Sequence, residues 1–339
     1  MKRKAVYIGA SGHCSARGSE LSTVADALLR GDTCHSTKSL LGSHWPYFAL
    51  PEMEGDGAAV ASVGLQLRES LPISEKQWRE MPLFIGSSSF FIGMLEKSGA
   101  GTGLDLPPAA AFARQIAAWM GIDSTPWCFS TACTSSFAAL DAAASLITSG
   151  AIPHAVVLGV ELDNATTLAG FASLNLLSTE RCRPFDRQRD GMVLGEAVAG
   201  LFISGQQSST SGASWRLAGL DLRLDAHSIT GPQPDGAIIV EAMHSAMTQA
   251  GLSCHEIDLI KVQASGSAGA DLAEAVAISQ IFGTRVPPLV SLKPYFGHTL
   301  GASGTTELTA LMACLERNQL PATPGFSEID PEIGLSPSL

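Results

Sequence analysis

The chain has 339 residues, a 45% hydrophobic share and a formal net charge of −11, values of a globular α/β protein long enough to carry two halves, each with its own sheet. The acidic balance and the 6% aromatic content exclude the basic footprint and stacking platforms of a nucleic-acid binder. The opening MKRKAVYIGA is basic and then apolar, but it is too short for a secretory h-region and no later run approaches a membrane span, so a cytoplasmic protein without a membrane partner is expected.

Short runs rich in Val, Ile and Phe, each followed by small residues and a helical pattern, read as repeated βα units. Strands are predicted near Ala5 to Gly9, Pro82 to Gly86, Pro126 to Ser130, His154 to Val160 and Ala197 to Ser204. The glycines of GASGHCSARG, residues 9 to 18, and SGAGTG, residues 98 to 103, read as turn glycines, because neither stretch gives G-x-G-x-x-G after a strand with the required acidic residue beyond. The polar SGQQSSTSGAS, residues 204 to 214, reads as a linker. It divides the chain into an N-terminal half, 1–204, a linker, 205–214, and a C-terminal half, 215–339. In the second half strands are predicted at Trp215 to Arg223, Ile257 to Gln263 and Pro288 to Leu292, with helices near Ala237 to Ala250, Asp271 to Phe282 and Ser303 to Arg317. The seven cysteines are irregularly spaced without a C-x-x-C, which argues for reduced thiols. Cys34-His35 and Cys254-His255 are adjacent pairs, not spaced ligand sets, so no metal is expected.

Two stretches carry chemistry. FSTACTSSFAALDAAASLITSG, residues 129 to 150, puts Cys133 between a strand and an alanine-rich helix, where unpaired N–H groups and the helix dipole favour a thiolate. A buried core cysteine is the bland reading of the same residue. SLKPYFGHTLGASGTTELT, residues 291 to 309, gathers Lys293, His298 and Glu307 around a helix start, an arrangement that can orient an imidazole. Together with Cys133 the set suits thioester chemistry, in which a thiolate attacks an acyl thioester and an imidazole donor holds the carbonyl oxygen.

Four motifs in order, TACTSS around Cys133, RCRPFDRQRDGMVLGEA from Arg181 to Ala197, DAHSITGP from Asp225 to Pro232, and SLKPYFGHTLGASG with Glu307, resemble the β-ketoacyl-acyl carrier protein synthases of the thiolase superfamily. The resemblance implies an α/β thiolase-like fold of two similar halves in an α/β/α/β/α layering, and a dimer. It implies that Cys133 accepts an acyl group from a phosphopantetheine arm of acyl carrier protein, with no cofactor of the chain's own. His298 would be one of two catalytic histidines, Lys293 the lysine behind it, and Glu307 that lysine's partner. The chain departs from the family where the first catalytic histidine stands in a His-Gly-Thr-Gly-Thr run: it reads QASGSAGADLAE, with Ser265 in the histidine's place and Asp271 closing the loop two residues early. A serine hydroxyl donates one hydrogen bond but carries no charge near neutral pH. The closing LPATPGFSEIDPEIGLSPSL resembles the segment before the family's last two strands, so the second half is expected to be truncated at its C-terminal strands and to lack the terminal oxyanion turn.

These features lead to the expectation of a chain-length-factor-like subunit, impaired in decarboxylative condensation, that pairs with a complete ketosynthase in fatty-acid-like or polyketide synthesis, polyene synthesis included. Known aromatic-type chain-length factors replace the cysteine, which Cys133 does not fit. An autonomous initiating or acyl-transferring condensing enzyme using Cys133 and His298 is the alternative, and a Cys-His thioesterase a third. The arginines of TERCRPFDRQRDG are read as a structural ion-pair network in preference to a carrier-protein docking patch. Phe90 and Phe91 of the FFIG stretch are candidates for lining the partner's acyl tunnel, against the plain reading of core aromatics.

Overall fold

The computed structural model describes residues 5–40, 42–55, 57–98, 109–207, 215–228 and 231–339. The basic start of the chain, the glycine run beyond Ser98 and most of the predicted linker lie outside the described residues. The first half runs β1 (Val6–Ser15), α1 (Leu21–Leu29), β2 (Ser36–Leu40), β3 (Ser43–Phe48), α2 (Ala58–Glu69), α3 (Glu75–Arg79), β4 (Leu83–Gly86), α4 (Ile92–Ser98), α5 (Ala109–Met120), β5 (Trp127–Phe129), α6 (Ser135–Ser149), β6 (His154–Glu161), α7 (Ala165–Ser173), β7 (Leu194–Gly195) and β8 (Ala197–Ser204). After it come β9 (Trp215–Leu217), α8 (Ala237–Ala250), β10 (Ile260–Lys261), α9 (Ala268–Phe282), β11 (Leu289–Val290), α10 (Lys293–Phe296) and α11 (Ser303–Leu315).

The main sheet has the order β5-β4-β6-β8-β1-β9. Its strands β5, β4 and β6 are parallel, and β8, β1 and β9 each run antiparallel to the strand before them. Both faces are covered, and the two-residue period of a strand divides the side chains between them. Val156, Leu158 and Val160 of β6 join Leu83 and Ile85 against Val60, Val63 and Leu67 of α2 and Phe112, Ile116 and Met120 of α5. The alternate residues Phe84, Ala155, Val157, Leu201 and Ile203 meet Ala139, Leu140, Ala143 and Ile147 of α6 and Met312 of α11. On its far side α11 packs Ala310, Leu311 and Cys314 against Val290 and Leu292 and the apolar face of α1. Beyond lies the parallel pair β10-β11, backed by Ala275, Ile278 and Phe282 of α9. The layering is therefore α/β/α/β/α.

Two predicted features are corrected. Gly9 and Gly12 lie inside β1, not in a turn, with a bulge between Ile8 and Ala10. They permit close approach: a Cβ on Gly12 would stand 2.8 Å from the carbonyl oxygen of Val63 and one on Gly9 3.1 Å from the Phe202 ring. The predicted strand Trp215 to Arg223 ends at Leu217 and pairs with Val6, Tyr7 and Ile8 of the main sheet, so the second sheet has two strands among the described residues. Beyond Leu217 the chain lies against α8, where a Cβ on Gly219 would come within 2.1 Å of the Ala246 carbonyl oxygen, and Arg223 pairs locally with Asp221 at 2.5 Å.

Candidate active site

Cys133 stands in the tight turn that joins β5 to α6. Its predecessor Ala132 has φ 52°, a left-handed conformation unusual for a residue with a Cβ. Local bonds hold the turn: the Ser135 hydroxyl donates to the Ala132 carbonyl at 2.6 Å, and the Thr131 N–H donates to Ser135 Oγ at 3.0 Å. Gly86 at the end of β4 lets the start of α6 lie directly on the sheet, because a Cβ there would come within 2.4 Å of the Ser135–Ser136 peptide. The cysteine is thus fixed from below by a glycine and from behind by its own helix.

His298 follows α10, whose Pro294 sits in the first turn and whose exit residue Gly297 has φ 69°. The histidine N–H donates to the Val193 carbonyl at 2.6 Å and its carbonyl accepts from Gly195 N–H at 3.2 Å, so β7 clamps it on both sides. Its Nε2 lies 3.0 Å from Cys133 Sγ. Nδ1 lies 3.2 Å from Lys293 Nζ and 3.1 Å from Ser303 Oγ. Lys293, fully buried, also donates to Glu307 Oε1, and Lys261 of β10 donates to the other oxygen, Glu307 Oε2. The four residues singled out by sequence therefore form one continuous chain, Cys133–His298–Lys293–Glu307, reaching from the turn before α6 to the interior of α11.

Burial sets the charges along this chain. It pushes the Lys293 ammonium below its ordinary value, against the pull of Glu307. His298 is pushed well below the usual imidazole value by burial and by the two lysines. Glu307 is held below the carboxylate range by Lys261 and Lys293, although burial opposes them. An ammonium can only donate, so a protonated Lys293 makes Nδ1 of His298 the acceptor and places the ring proton on Nε2, facing the sulfur. The Cys133 thiol itself is raised by burial and by the Glu161 carboxylate, with Lys293 and its own N–H pulling the other way. That differs from a thiolate favoured by the helix start. Burial of the sulfur outweighs the charges that would favour a thiolate, and the N–H groups of Thr134 and Ser135 are turned to the Thr131 and Ala132 carbonyls.

Ser265 is buried, its N–H donating to Asp271 Oδ1 at 2.9 Å and its carbonyl accepting from the Cys182 thiol at 3.1 Å. Asp271, raised to about 6 by burial, also accepts from Gly266 and Phe185 N–H and so pins the shortened loop. The arginine motif is an ion-pair network, but its partners lie partly outside the motif. Arg183 pairs with Glu180 and Asp190, Arg187 with Glu328, and Arg189 with Asp330. Asp186 accepts instead from the backbone of Gln188, Ser327 and Glu328. DAHSITGP begins as an exposed turn in which Asp225 accepts from His227 and Gln233 N–H, and its Ile229 and Thr230 lie outside the described residues. Phe90 and Phe91 both meet the Phe112 ring edge-on, with centroids 5.6 and 5.1 Å apart.

Two contributors carry little sequence signal. Lys261 is one. The other is Glu161, a buried carboxylate at the end of β6 that accepts from the N–H and hydroxyl of both Ser88 and Ser89 and from Gly301 N–H at 2.9 Å. It ties the loop after β4 to the turn that follows His298. Among the described residues no group of three His, Cys, Asp or Glu side chains is placed to hold a metal ion.

The two halves of this site fall in two matched domains. Residues 83–208 match the β-ketoacyl synthase N-terminal domain and residues 216–327 the β-ketoacyl synthase C-terminal domain. The chain belongs to the β-ketoacyl synthase family. A 3-oxoacyl-[acyl-carrier-protein] synthase 2 of Mycobacterium leprae is 32% identical over 216 residues, covering 60% of this chain and 51% of that protein. The tetracenomycin polyketide synthase ketoacyl synthase alpha subunit of Streptomyces glaucescens is 32% identical over 235 residues, 66% of this chain and 55% of that one. The chain thus matches about half the length of these curated relatives. Among solved structures, a ketosynthase in complex with its chain length factor from Xenorhabdus doucetiae superimposes with a TM-score of 0.84 at 25% identity, covering 97% of this chain and 89% of that one. The ishigamide ketosynthase/chain length factor gives 0.80 at 21% identity, covering 98% and 91%. The fold is the thiolase-like fold of ketosynthases.

Proposed function

We propose that this β-ketoacyl synthase family chain is a chain-length-factor-like subunit that pairs with a complete ketosynthase in fatty-acid-like or polyketide synthesis, and that its own Cys133 exchanges acyl groups with acyl carrier protein. The observation that carries the acyl-exchange part of this reading is the 3.0 Å contact between His298 Nε2 and Cys133 Sγ, backed by Lys293 and Glu307. In the proposed step the Cys133 sulfur attacks the carbonyl carbon of an acyl-phosphopantetheine thioester. A carbon–sulfur bond forms to Cys133, the bond to the pantetheine sulfur breaks, and the thiol proton leaves with that sulfur. The Nε2–H of His298 holds the developing oxyanion. Decarboxylation of a malonyl unit asks more, since an enolate needs a second strong donor, and Ser265 supplies only a hydroxyl. Cys133 stands in the stretch that matches the N-terminal domain and the His298 relay in the stretch that matches the C-terminal domain, so in this reading the site forms only when both are folded.

Pairing is supported by the edge of the main sheet. β5 is a three-residue edge strand with Trp127 57% exposed, an aromatic beside a backbone edge that no strand covers among the described residues and that another chain would cover. Solved neighbours of this fold include a ketosynthase in complex with its chain length factor. The second reading, an autonomous acyl-transferring condensing enzyme, is favoured by the completeness of the Cys133 relay. One experiment separates them: the purified chain, alone and co-expressed with a cognate ketosynthase, is incubated with acyl and malonyl carrier-protein thioesters. Mass spectrometry of the Cys133 peptide, carbon dioxide release and sizing are read. An acyl-Cys133 adduct, negligible carbon dioxide from the chain alone and a stable heterodimer are expected. Robust carbon dioxide release by the free chain would move the function to the autonomous reading, and the absence of any adduct would remove the acyl-exchange role.

A further inference from the structure

Glu307 is a buried carboxylate shared by two lysines from different layers. Lys293 reaches Oε1 from α10 and Lys261 reaches Oε2 from β10. The Lys261 side chain is 23% exposed while Glu307 is 2% exposed and Lys293 0%. One carboxylate facing two ammonium groups leaves the buried cluster with an unbalanced positive charge directly behind His298. A single lysine would leave Oε2 without an acceptor's partner and the carboxylate free to rotate about its last bond.

We propose that Lys261 is a positioning residue of the site: by occupying Glu307 Oε2 it keeps Oε1 on Lys293, keeps Lys293 donating to His298 Nδ1, and thereby holds the imidazole proton on Nε2, aimed at Cys133. The inference rests on the reading of Cys133 and His298 given above, but it concerns the proton on the ring and not the acyl substrate. Other groups around the cluster do not duplicate the effect. Glu274 of α9, the other acidic side chain near Lys261, spends its oxygens on Gln263 and Ala264 N–H. Asp271, also of α9, is committed to Ser265, Gly266 and Phe185 N–H. Glu161, which faces Cys133 electrostatically, is saturated by Ser88, Ser89 and Gly301. Ser303 Oγ also lies 3.1 Å from Nδ1 and 3.2 Å from both Lys293 Nζ and Thr299 Oγ1, so it follows the lysine's protonation state and does not fix it. The buried Cys182, raised well above the ordinary thiol value, adds no charge.

The test uses the full chain with ¹⁵N-labelled histidine, and Lys261→Met and Lys261→Arg variants. The wild-type His298 ring is expected to show protonated Nε2 and unprotonated Nδ1 between about pH 6 and 9. In Lys261→Met the His298 titration midpoint rises by about one unit, a fraction of the Nδ1–H tautomer emerges, and the pH profile of Cys133 alkylation shifts in the same direction. Lys261→Arg restores both. A wild-type ring carrying its proton on Nδ1 overturns the inference without any variant. A Lys261→Met protein with a lower melting temperature but unchanged ring signals and unchanged alkylation profile also overturns it, because that is the result of a merely structural ion pair. Failure of acyl loading in a protein whose ring behaves as expected would remove the proposed function and leave this assignment standing.

Discussion

Replacing Glu161 by Gln tests whether the active site is held by one buried acceptor. The carboxylate takes five hydrogen bonds, three of them on Oε2 from Ser88 N–H at 3.0 Å, the Ser88 hydroxyl at 2.6 Å and Gly301 N–H at 2.9 Å. Oε1 takes Ser89 N–H at 3.0 Å and the Ser89 hydroxyl. Glutamine keeps one acceptor oxygen, best placed on the three-donor side, and turns its amide N–H groups toward Ser89. The Ser89 hydroxyl can rotate to accept, but the Ser89 N–H cannot, and an orphaned buried donor costs about 1–3 kcal/mol. The three remaining bonds lose charge assistance at about 1 kcal/mol each. Against this, the variant no longer buries a carboxylate that has no ion pair among the described residues, which offsets roughly half of the loss. A net destabilisation of about 2–3 kcal/mol results, or about 3–4 °C in melting temperature for a chain of this size. Because Gly301 belongs to the turn after His298, alkylation of Cys133 should slow as well. Chemical denaturation and peptide mapping of the labelled thiol measure both, with Ser88→Ala as a milder control that leaves the carboxylate four donors. A Gln variant within about 0.5 kcal/mol of wild type, with unchanged Cys133 labelling, would refute the reasoning.

Cys133→Ala should abolish the acyl adduct without unfolding the protein, and His298→Ala should slow adduct formation by about 100-fold or more, both read by intact-mass kinetics; an adduct surviving on another cysteine would displace the assignment. Glu196, raised to about 7 chiefly by burial, binds more protons folded than unfolded, so its contribution to stability is full below the unfolded carboxylate value and is lost as pH rises toward 7 and beyond. Glu196→Gln should therefore stabilise the protein at pH 8 and change little at pH 4.5, as measured by urea melts at the two pH values; equal effects at both would contradict the assignment. Phe90→Ala removes a ring packed edge-on to Phe112 at a cost of about 1–3 kcal/mol, and in the assembled pair it should lengthen the product; unchanged product length would leave Phe90 a core aromatic only.

How much of this was legible in the sequence depended on how local the deciding interaction is. Strands β4, β5, β6 and β8 were readable because each is a short apolar run set off by turn residues, α8 and α9 because their small-residue helical patterns lie between glycines, and α11 because such a pattern follows the glycine turn at Gly301. The hairpin β2-β3 was not, since STKSL is polar on both faces and SHWPYF carries a proline. Gly9 and Gly12 pointed to a turn because glycine weakens strand patterning, and only the approach of Val63 and Phe202 explains them inside β1. The pairing of Trp215 with the first sheet depends on a partner more than two hundred residues earlier, which no local pattern encodes.

The site divides along the same line. Cys133, Lys293, His298 and Glu307 stand in motifs whose residue types state their chemistry, and the structure places them in contact. Glu161 and Lys261 do not announce themselves: an acidic residue at the end of VVLGVE and a lysine within LIKVQ read as a solvated strand end and a charged flank. Their roles arise from what the fold brings to them, three N–H groups from two distant loops in one case and a carboxylate from another layer in the other. Cys133 and His298 each stand in a short motif that the sequence displays. In the assignment proposed above, the charge balance behind the imidazole is assembled from β10, α10 and α11 together, so two chains sharing the same motifs can differ in chemistry through residues outside all of them.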